Sequence, residues 1–367
     1  MNLLVCMGNP GAIQCLQIKM HKELYSQHNF PVLQNCVYET REKAVECETG
    51  NIRIVEDQNT GLVYNADFDP KKMVYDRNYN NEQGISRSFQ SHLTQVSEIV
   101  KSRLGSKALV EIGCGKGLFL EMLVDLGMDV QGIDPAYEGK NPRISKKYFE
   151  PGITEKAKGI ILRHVLEHIS DPVSFLRQIA NANGGQGLIY MEVPCFEWIC
   201  RRRAWYDIFY EHVNYFRISD FERIFDGLIE SGHFFGGQYF YIVADLKNLR
   251  NPVLNKDDKV EFPKDFDRSG IDSADSHDSV IWGGASKGVI FSLLKMRQGK
   301  TFRFAIDINP AKQGKYLPGS GLKVCSPEEG MKEINPQDTI YVMNSNYMDE
   351  IHQYTNGKNR LISIDHE

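Results

Sequence analysis

Apolar positions in the middle of the chain fall into short runs separated by glycines and polar turns. Residues 107–112, KALVEI, form one such run, and it stops at Gly113-Cys114-Gly115-Lys116-Gly117 before helical periodicity resumes over Leu118 to Leu126. Strand, glycine turn and helix in that order open a doubly wound α/β domain. The alternation continues with predicted strands over 129–134, 159–162 and 187–193, and a helix over 171–179 with Phe175, Leu176 and Ile179 on one face. A helix follows over 219–229, with Ser219 as N-cap and Phe221, Ile224, Phe225 and Leu228 apolar, and a strand over 238–244 closes the sheet. Upstream, Phe89, Leu93, Val96, Ile99, Val100 and Leu104 recur at helical spacing, so a helix over 86–104 leads into this domain.

The flanks have different patterns. Residues 51–55 and 62–64 are short apolar runs around a polar turn and predict a β-hairpin in a small N-terminal α+β domain, residues 1–80. The central α/β domain spans 81–245. Residues 246–278 are polar, carry prolines and show no sustained period, which predicts a linker. From 279 a second βα pattern begins: a strand over 279–282, a turn Gly283-Gly284-Ala285-Ser286-Lys287-Gly288, an apolar helix over 289–296, and strands over 303–307, 339–344 and 360–364. Residues 279–367 therefore predict a smaller second α/β domain.

Composition changes this picture little. The 367 residues are 41% hydrophobic and 25% charged, which is globular. Forty-three Lys and Arg against 48 Asp and Glu give a net charge of −5, which asks for neither a nucleic acid nor an anionic membrane as partner. The N-terminus has no basic region before its apolar start, and no run reaches the ~18 apolar residues of a spanning helix. The expectation is a cytoplasmic protein, monomeric or homodimeric. Its eight cysteines, at 6, 15, 36, 47, 114, 195, 200 and 325, include no CxxC pair. That spacing predicts free thiols and no zinc, with ligation by the four early cysteines as the alternative.

The chemistry concentrates in the central domain. The glycines at 113, 115 and 117 depart from the dinucleotide spacing, which would need glycine where Leu118 stands. Asp134, at the end of the next strand, is placed to bind a ribose diol. The alternative is a tight βα turn with no ligand. His164 and His168 follow the third strand in HVLEHISDP, where ligands of such sheets bind. A zincin would need its acid directly after the first histidine, whereas Glu167 precedes the second, so His164 is read as structural and His168 as facing a pocket. The segment WYDIFYEHVNYF, 205–216, joins aromatics to a Glu–His pair; His212 beside Glu211 suits a general base near neutral pH, and the alternative is a helix packing its aromatics inward.

Taken together, EIGCGKGLFLEML, GIDP, RHVLEHISDP, MEVP and YEHVNYF resemble the S-adenosylmethionine (SAM)-dependent sugar C-methyltransferases that act on nucleotide-linked keto-deoxysugars. WGGASKG, IDINPAKQGKYLPG and SPEE resemble that family's appended Rossmann-like domain, and VYDRNYNN with SRSF its substrate segment. The resemblance runs from about residue 30 to the end. It implies a class I SAM-methyltransferase core, with Glu111, Gly113, Gly115, Gly117, Asp134, Pro135 and His164 binding SAM. It further implies His212 as base, Glu211 and His168 beside it, and Tyr75, Tyr79, Tyr210, Asn214, Tyr215, Lys287, Lys312 and Tyr316 toward a nucleotide-linked sugar. Two departures stand out. Where the family carries a zinc-binding cysteine pair, this chain has Asp57 and Thr60, and where many methyltransferases carry an acid before the third strand it has Lys156 and Lys158. Phe149 and Glu150 are left as candidates for adenine. The implied reaction is removal of a proton beside the sugar ketone followed by methyl transfer to carbon. Its rivals are an O-methyltransferase on a sugar or surface-polysaccharide precursor and a non-catalytic SAM-binding scaffold.

Overall fold

The computed structural model describes residues 20–73, 84, 86–150, 157–267 and 279–365. The chain opens with β1 (His21–Pro31), α1 (Arg41–Val45), β2 (Thr49–Asp57) and β3 (Val63–Asn65). The expected hairpin is β2 and β3, paired antiparallel. Strand β1 pairs with β2 across two register irregularities, at Glu23/Tyr25 and Gln27/Phe30. Those irregularities break the period-2 alternation by which β1 would otherwise be legible.

Helix α2 (Arg87–Leu104) starts where the sequence places it: the Ser86 hydroxyl accepts from Phe89 N–H at 3.3 Å, and Phe89, Leu93, Val96, Val100 and Leu104 are buried. Then follow β4 (Leu109–Ile112), α3 (Leu118–Asp125), β5 (Val130–Ile133), β6 (Ile144–Ser145), β7 (Gly159–Arg163), α4 (Pro172–Ala182), β8 (Leu188–Pro194), α5 (Phe196–Arg201), β9 (Asn214–Tyr215), α6 (Ile218–Ile224), β10 (Glu230–Phe234) and β11 (Tyr239–Asp245). Among the described residues these make a seven-stranded sheet of order β10-β11-β8-β7-β4-β5-β6. It is parallel except at β11, which runs antiparallel to β8 and to β10. This is the class I methyltransferase arrangement, as the resemblance led one to expect.

The helix expected over 219–229 is shorter. It starts one residue earlier, where Arg217 N–H donates to the Asp220 carboxylate at 2.7 Å rather than at a Ser219 cap. It ends at Ile224 because Phe225 adopts extended backbone, and Ile229, counted toward the helix, is exposed. The chain then turns into the unanticipated edge strand β10, whose burial alternates. The polar stretch after β11 is packed: Val260 and Phe266 are buried, Phe266 meets Tyr25 edge-on at 5.1 Å, and Val260 N–H donates to Glu56 Oε1 at 3.1 Å.

The last part is β12 (Ser279–Trp282), α7 (Ser286–Arg297), β13 (Ala305–Ile306), β14 (Val324–Cys325), α8 (Pro327–Glu333), β15 (Thr339–Val342), α9 (Met348–Thr355) and β16 (Arg360–Ser363). Its five strands are parallel in the order β14-β13-β12-β15-β16, a second Rossmann-like sheet. Several contacts tie the parts together, among them the following. Strand β9 extends the N-terminal sheet beside β3, Trp205 stacks on Phe291 of α7 at 5.6 Å, and Tyr206 OH donates to the Ile364 carbonyl at 3.0 Å. Both carboxyl ends of the parallel sheets, where ligands of such folds bind, thus look toward one interior space.

Candidate active site

Strand β7 is buried and apolar until Arg163, and the chain then bends sharply at His164, whose φ of 52° lies in the left-handed region. A non-glycine residue held there is strained by order 1–3 kcal/mol and persists when its surroundings fix it. Here Glu192, a charge inside the apolar strand β8, does the fixing. Its carboxylate accepts from His164 Nε2 at 3.0 Å, His92 Nε2 at 2.8 Å, Arg163 Nε at 3.2 Å and Tyr190 OH at 3.1 Å. The other ring nitrogen of His164 stands 3.4 Å from Glu167 Oε1. Burial alone would lower the His164 pKa, but the two carboxylates outweigh it and push it up to about 9. Burial likewise opposes ionisation of Glu192, and Arg163 with the histidines holds its pKa well below the usual carboxylate range.

His164 lies on the wall of a cavity of about 220 Å³, bounded by the ends of β7, β8 and β11, by residues 207–212 and by the second glycine turn, 283–288. His168 and His212 meet there edge to face at 5.0 Å. A ring nitrogen of each and a carboxylate oxygen of Glu167 lie within 4.8 Å of one another. His168 Nδ1 is 2.8 Å from the Glu211 carbonyl oxygen, which assigns the proton to Nδ1 and leaves Nε2 an acceptor. Burial, with His168 and His164 nearby, pushes the His212 pKa well below that of free imidazole, so His212 is neutral at pH 7. Glu211 lines the same cavity, yet its Oε1 accepts from the backbone N–H of Gln34 at 2.6 Å and of Asn35 at 3.4 Å. The carboxylate read as the partner of His212 is thus engaged with the N-terminal segment, and Glu167 is the acid among the histidines.

The first glycine turn sits beside this space at the ends of β4 and β5. All three glycines have positive φ, and a Cβ on Gly113 would lie 2.3 Å from Val165 Cγ2. Gly115 is open, with no atom within 4 Å of where a Cβ would stand. Asp134 closes the turn, accepting from Gly115 N–H at 2.7 Å and Ala136 N–H at 2.7 Å. Burial raises the Asp134 pKa against those two donors, and pushes Glu111 up to about 7 against Arg163. Glu111 Oε2 is buried without a hydrogen bond. An open backbone turn flanked by two acids suits a ligand carrying hydroxyls and positive charge, as SAM does.

The second turn repeats the device. Asp307, after β13, accepts from Gly284 N–H at 2.8 Å and Asn309 N–H at 2.8 Å. Lys287 pairs with Asp207 at 3.1 Å and donates to Gln238 Oε1 at 3.0 Å. Lys312 is buried, with its ammonium 3.4 Å from Asn35 Oδ1 and 3.3 Å from the Gly284 carbonyl; burial lowers its pKa.

Of the residues singled out from the sequence, His164, His168, Glu211, His212, Lys287 and Lys312 line the one cavity. Glu111, Gly113, Gly115, Gly117, Asp134 and Pro135 gather at the adjacent strand ends. Four do not reach the cavity. The Tyr210 ring is buried against Phe68 with its hydroxyl accepting from Asp69 N–H, Asn214 donates to the Leu166 and Ile169 carbonyls, and the Tyr215 hydroxyl bonds to Phe209. Tyr316 forms backbone bridges to Tyr38 and Lys323. The first three are packing roles, and Tyr316 is held in place through its backbone. Phe149 meets Phe175 edge-on at 6.0 Å and Glu150 is exposed; Tyr75, Tyr79 and Lys156 lie outside the described residues. Glu167 is weighed in the sequence only against a metal motif, and Glu192, Asn35, Tyr239 and Tyr347 are given no role there. Glu192 alone carried a signal, as a lone charge in an apolar strand.

Comparison with known proteins agrees with this architecture. Residues 85–228 match a methyltransferase domain and residues 268–360 a C-methyltransferase C-terminal domain. The C-methyltransferase NovU of Streptomyces niveus is 24% identical over 310 residues, 72% of this chain and 73% of that protein. A ubiquinone biosynthesis O-methyltransferase of Methylobacterium sp. (strain 4-46) is 32% identical over 103 residues, 24% of this chain and 41% of that protein. A SAM-dependent methyltransferase structure from Archaeoglobus fulgidus overlaps 44% of this chain and all of its own, at 19% identity and a TM-score of 0.32.

Proposed function

Since the chain is a SAM-dependent methyltransferase carrying a C-methyltransferase C-terminal domain, we propose that it methylates carbon, at a position next to the ketone of a nucleotide-linked sugar. One observation carries the reading: a neutral histidine, His212, faces a second histidine and a buried acid in a cavity shared by both Rossmann-like sheets. When bound, SAM supplies an electrophilic methyl group on a sulfonium. Everything else falls to the protein. Gly115 and Asp134 offer backbone and carboxylate to the cofactor's hydroxyls. His212, free of a proton at pH 7, takes the acidified proton from the sugar carbon. A positioned base supplies about 10²–10⁴-fold, which is too little for so weak a carbon acid, so the enolate oxygen needs electrostatic stabilisation as well. The His164 imidazolium stands on the same wall and offers positive charge, its own N–H groups being held by Glu192 and Glu167.

The second Rossmann-like sheet gives the cavity room for the nucleotide half of the substrate, with Lys287 and Lys312 as its cations. The C-terminal match favours carbon over oxygen as the acceptor. The test is incubation with SAM and a panel of nucleotide-linked keto-sugars, followed by mass spectrometry and carbon NMR of the product. A new carbon–methyl bond beside the ketone is expected. A methyl on oxygen, or none on any keto-sugar, overturns the reading.

A further inference from the structure

Burying a carboxylate without a hydrogen bond is costly, so such a group in a site calls for a use. Glu167 is 1% exposed; neither of its side-chain oxygens has a well-formed hydrogen bond, and its charge is met by the ion pair with His164. It lines the reaction cavity and is surrounded by imidazoles: His164 Nδ1 at 3.4 Å, with His168 and His212 within 4.8 Å. Its backbone is tied to the loop that carries the base, since Val213 N–H donates to the Glu167 carbonyl at 2.7 Å. Movement of one therefore moves the other. Glu211, adjacent to His212 in sequence, spends its Oε1 on Gln34 and Asn35.

We propose that Glu167 is the positioning carboxylate of the base: it orients His212 and stabilises the imidazolium formed when His212 removes the substrate proton. The inference rests on the C-methylation reading above. In the step, the C–H bond beside the ketone breaks and its electron pair becomes the enolate double bond. Negative charge moves to the ketone oxygen, and the proton bonds to His212. A neutral imidazole in a buried cavity is a reluctant base because its charged form lacks water, and a carboxylate supplies what water would. The enolate carbon then uses its electron pair to form the new C–C bond to the methyl group as the ketone re-forms; the methyl–sulfur bond of bound SAM would break with its pair left on sulfur, so that S-adenosylhomocysteine is the leaving group, and His212 returns its proton to solvent as product leaves. Facing Glu167 are His164, His168 and His212; facing His164 on its other side is Glu192.

The experiment compares wild type, Glu167→Gln and Glu167→Asp in two assays: exchange of the substrate's α-proton with deuterated solvent in the absence of SAM, and methyl transfer in its presence. SAM affinity is measured in parallel by calorimetry. Glu167→Gln is expected to slow both reactions about 10²–10⁴-fold, with KM and SAM affinity little changed, and Glu167→Asp to recover part of the rate by keeping the charge. Wild-type rates in Glu167→Gln overturn the proposal. So does a loss of SAM affinity in both variants that accounts for the lost rate, which would mark Glu167 as purely structural. A wild type inactivated by chelator and restored by a divalent cation overturns it too, since the same trio would then hold a metal. An inactive wild type on every keto-sugar overturns the parent reading instead.

Discussion

Replacing Glu192 by glutamine keeps the side-chain shape and removes a charge on which four side chains converge: His92, His164, Arg163 and Tyr190. All of Glu192 is buried, and the Arg163 side chain is 9% exposed. Breaking a buried pair by removing one partner costs about 3–5 kcal/mol, because the other charge stays buried without compensation. At roughly 2–4 °C per kcal/mol for a domain of this size, the melting temperature falls by about 6–20 °C. A pH signature accompanies the loss. In the folded protein His164 titrates near 9, above the ~6.5 of an unfolded histidine. Its contribution is therefore complete below pH ~6.5 and disappears as pH rises through about 9. The shift corresponds to at most about 3 kcal/mol. With the ring 26% exposed, solvent screening reduces that to about 1–2 kcal/mol. Wild type should lose that much more stability than Glu192→Gln between those two pH values, read from denaturant melts across the range. A Glu192→Gln variant that melts within a degree of wild type, or parallel pH profiles for the two, would refute the account of the network.

Three further outcomes follow from the same geometry. Asp134→Asn weakens the hydrogen bonds it accepts from Gly115 N–H of the glycine turn and from Ala136 N–H, and removes the charge offered to the cofactor, so SAM affinity measured by calorimetry should fall about 10- to 100-fold. Gly113→Ala forces a Cβ against Val165 in a backbone with φ +74° and should cost about 1–3 kcal/mol in urea unfolding; a neutral result would mean the turn is not built as described. Tyr210→Phe removes the bond from Asp69 N–H and should cost about 1 kcal/mol of stability while leaving kcat unchanged, whereas a loss of kcat would return Tyr210 to the cavity.

Legibility in the sequence followed how local the signal was. Helix α2, the turn at Gly113–Gly117 and the βα start at Gly283 combine a short apolar period with glycines where φ must be positive, and these are visible in a linear reading. Strand β1 is not, because its two irregularities scramble the alternation. Edge strand β10 is not legible, and the turn that leads into it reads as part of the preceding helix because Leu228 and Ile229 extend the apolar pattern. The stop at Phe225 depends on tertiary contacts instead, including its bridge to Leu249. At the site, motif and neighbourhood diverged. His212 and Glu211 are adjacent in sequence, yet a backbone bend sends Glu211 to the N-terminal segment and leaves Glu167, far away along the chain, beside the histidines. Tyr210, Asn214 and Tyr215 share the motif with His212 but point into packing, so a dense aromatic segment mixed pocket and core in one stretch. The role of Glu192 depends on α2 and the end of β7 meeting it, and no sequence spacing encodes that.

The central claim is that His212 removes a proton from carbon next to a ketone. The most direct measurement is NMR of a nucleotide-linked keto-sugar incubated in deuterated water with enzyme and no SAM, comparing wild type with His212→Ala. The account predicts loss of the α-proton signal with wild type, a rate at least about 10²-fold lower with His212→Ala, and methyl transfer to that same carbon once SAM is added. Exchange at equal rates in the two proteins, or methylation at a carbon or oxygen whose proton never exchanges, would contradict it.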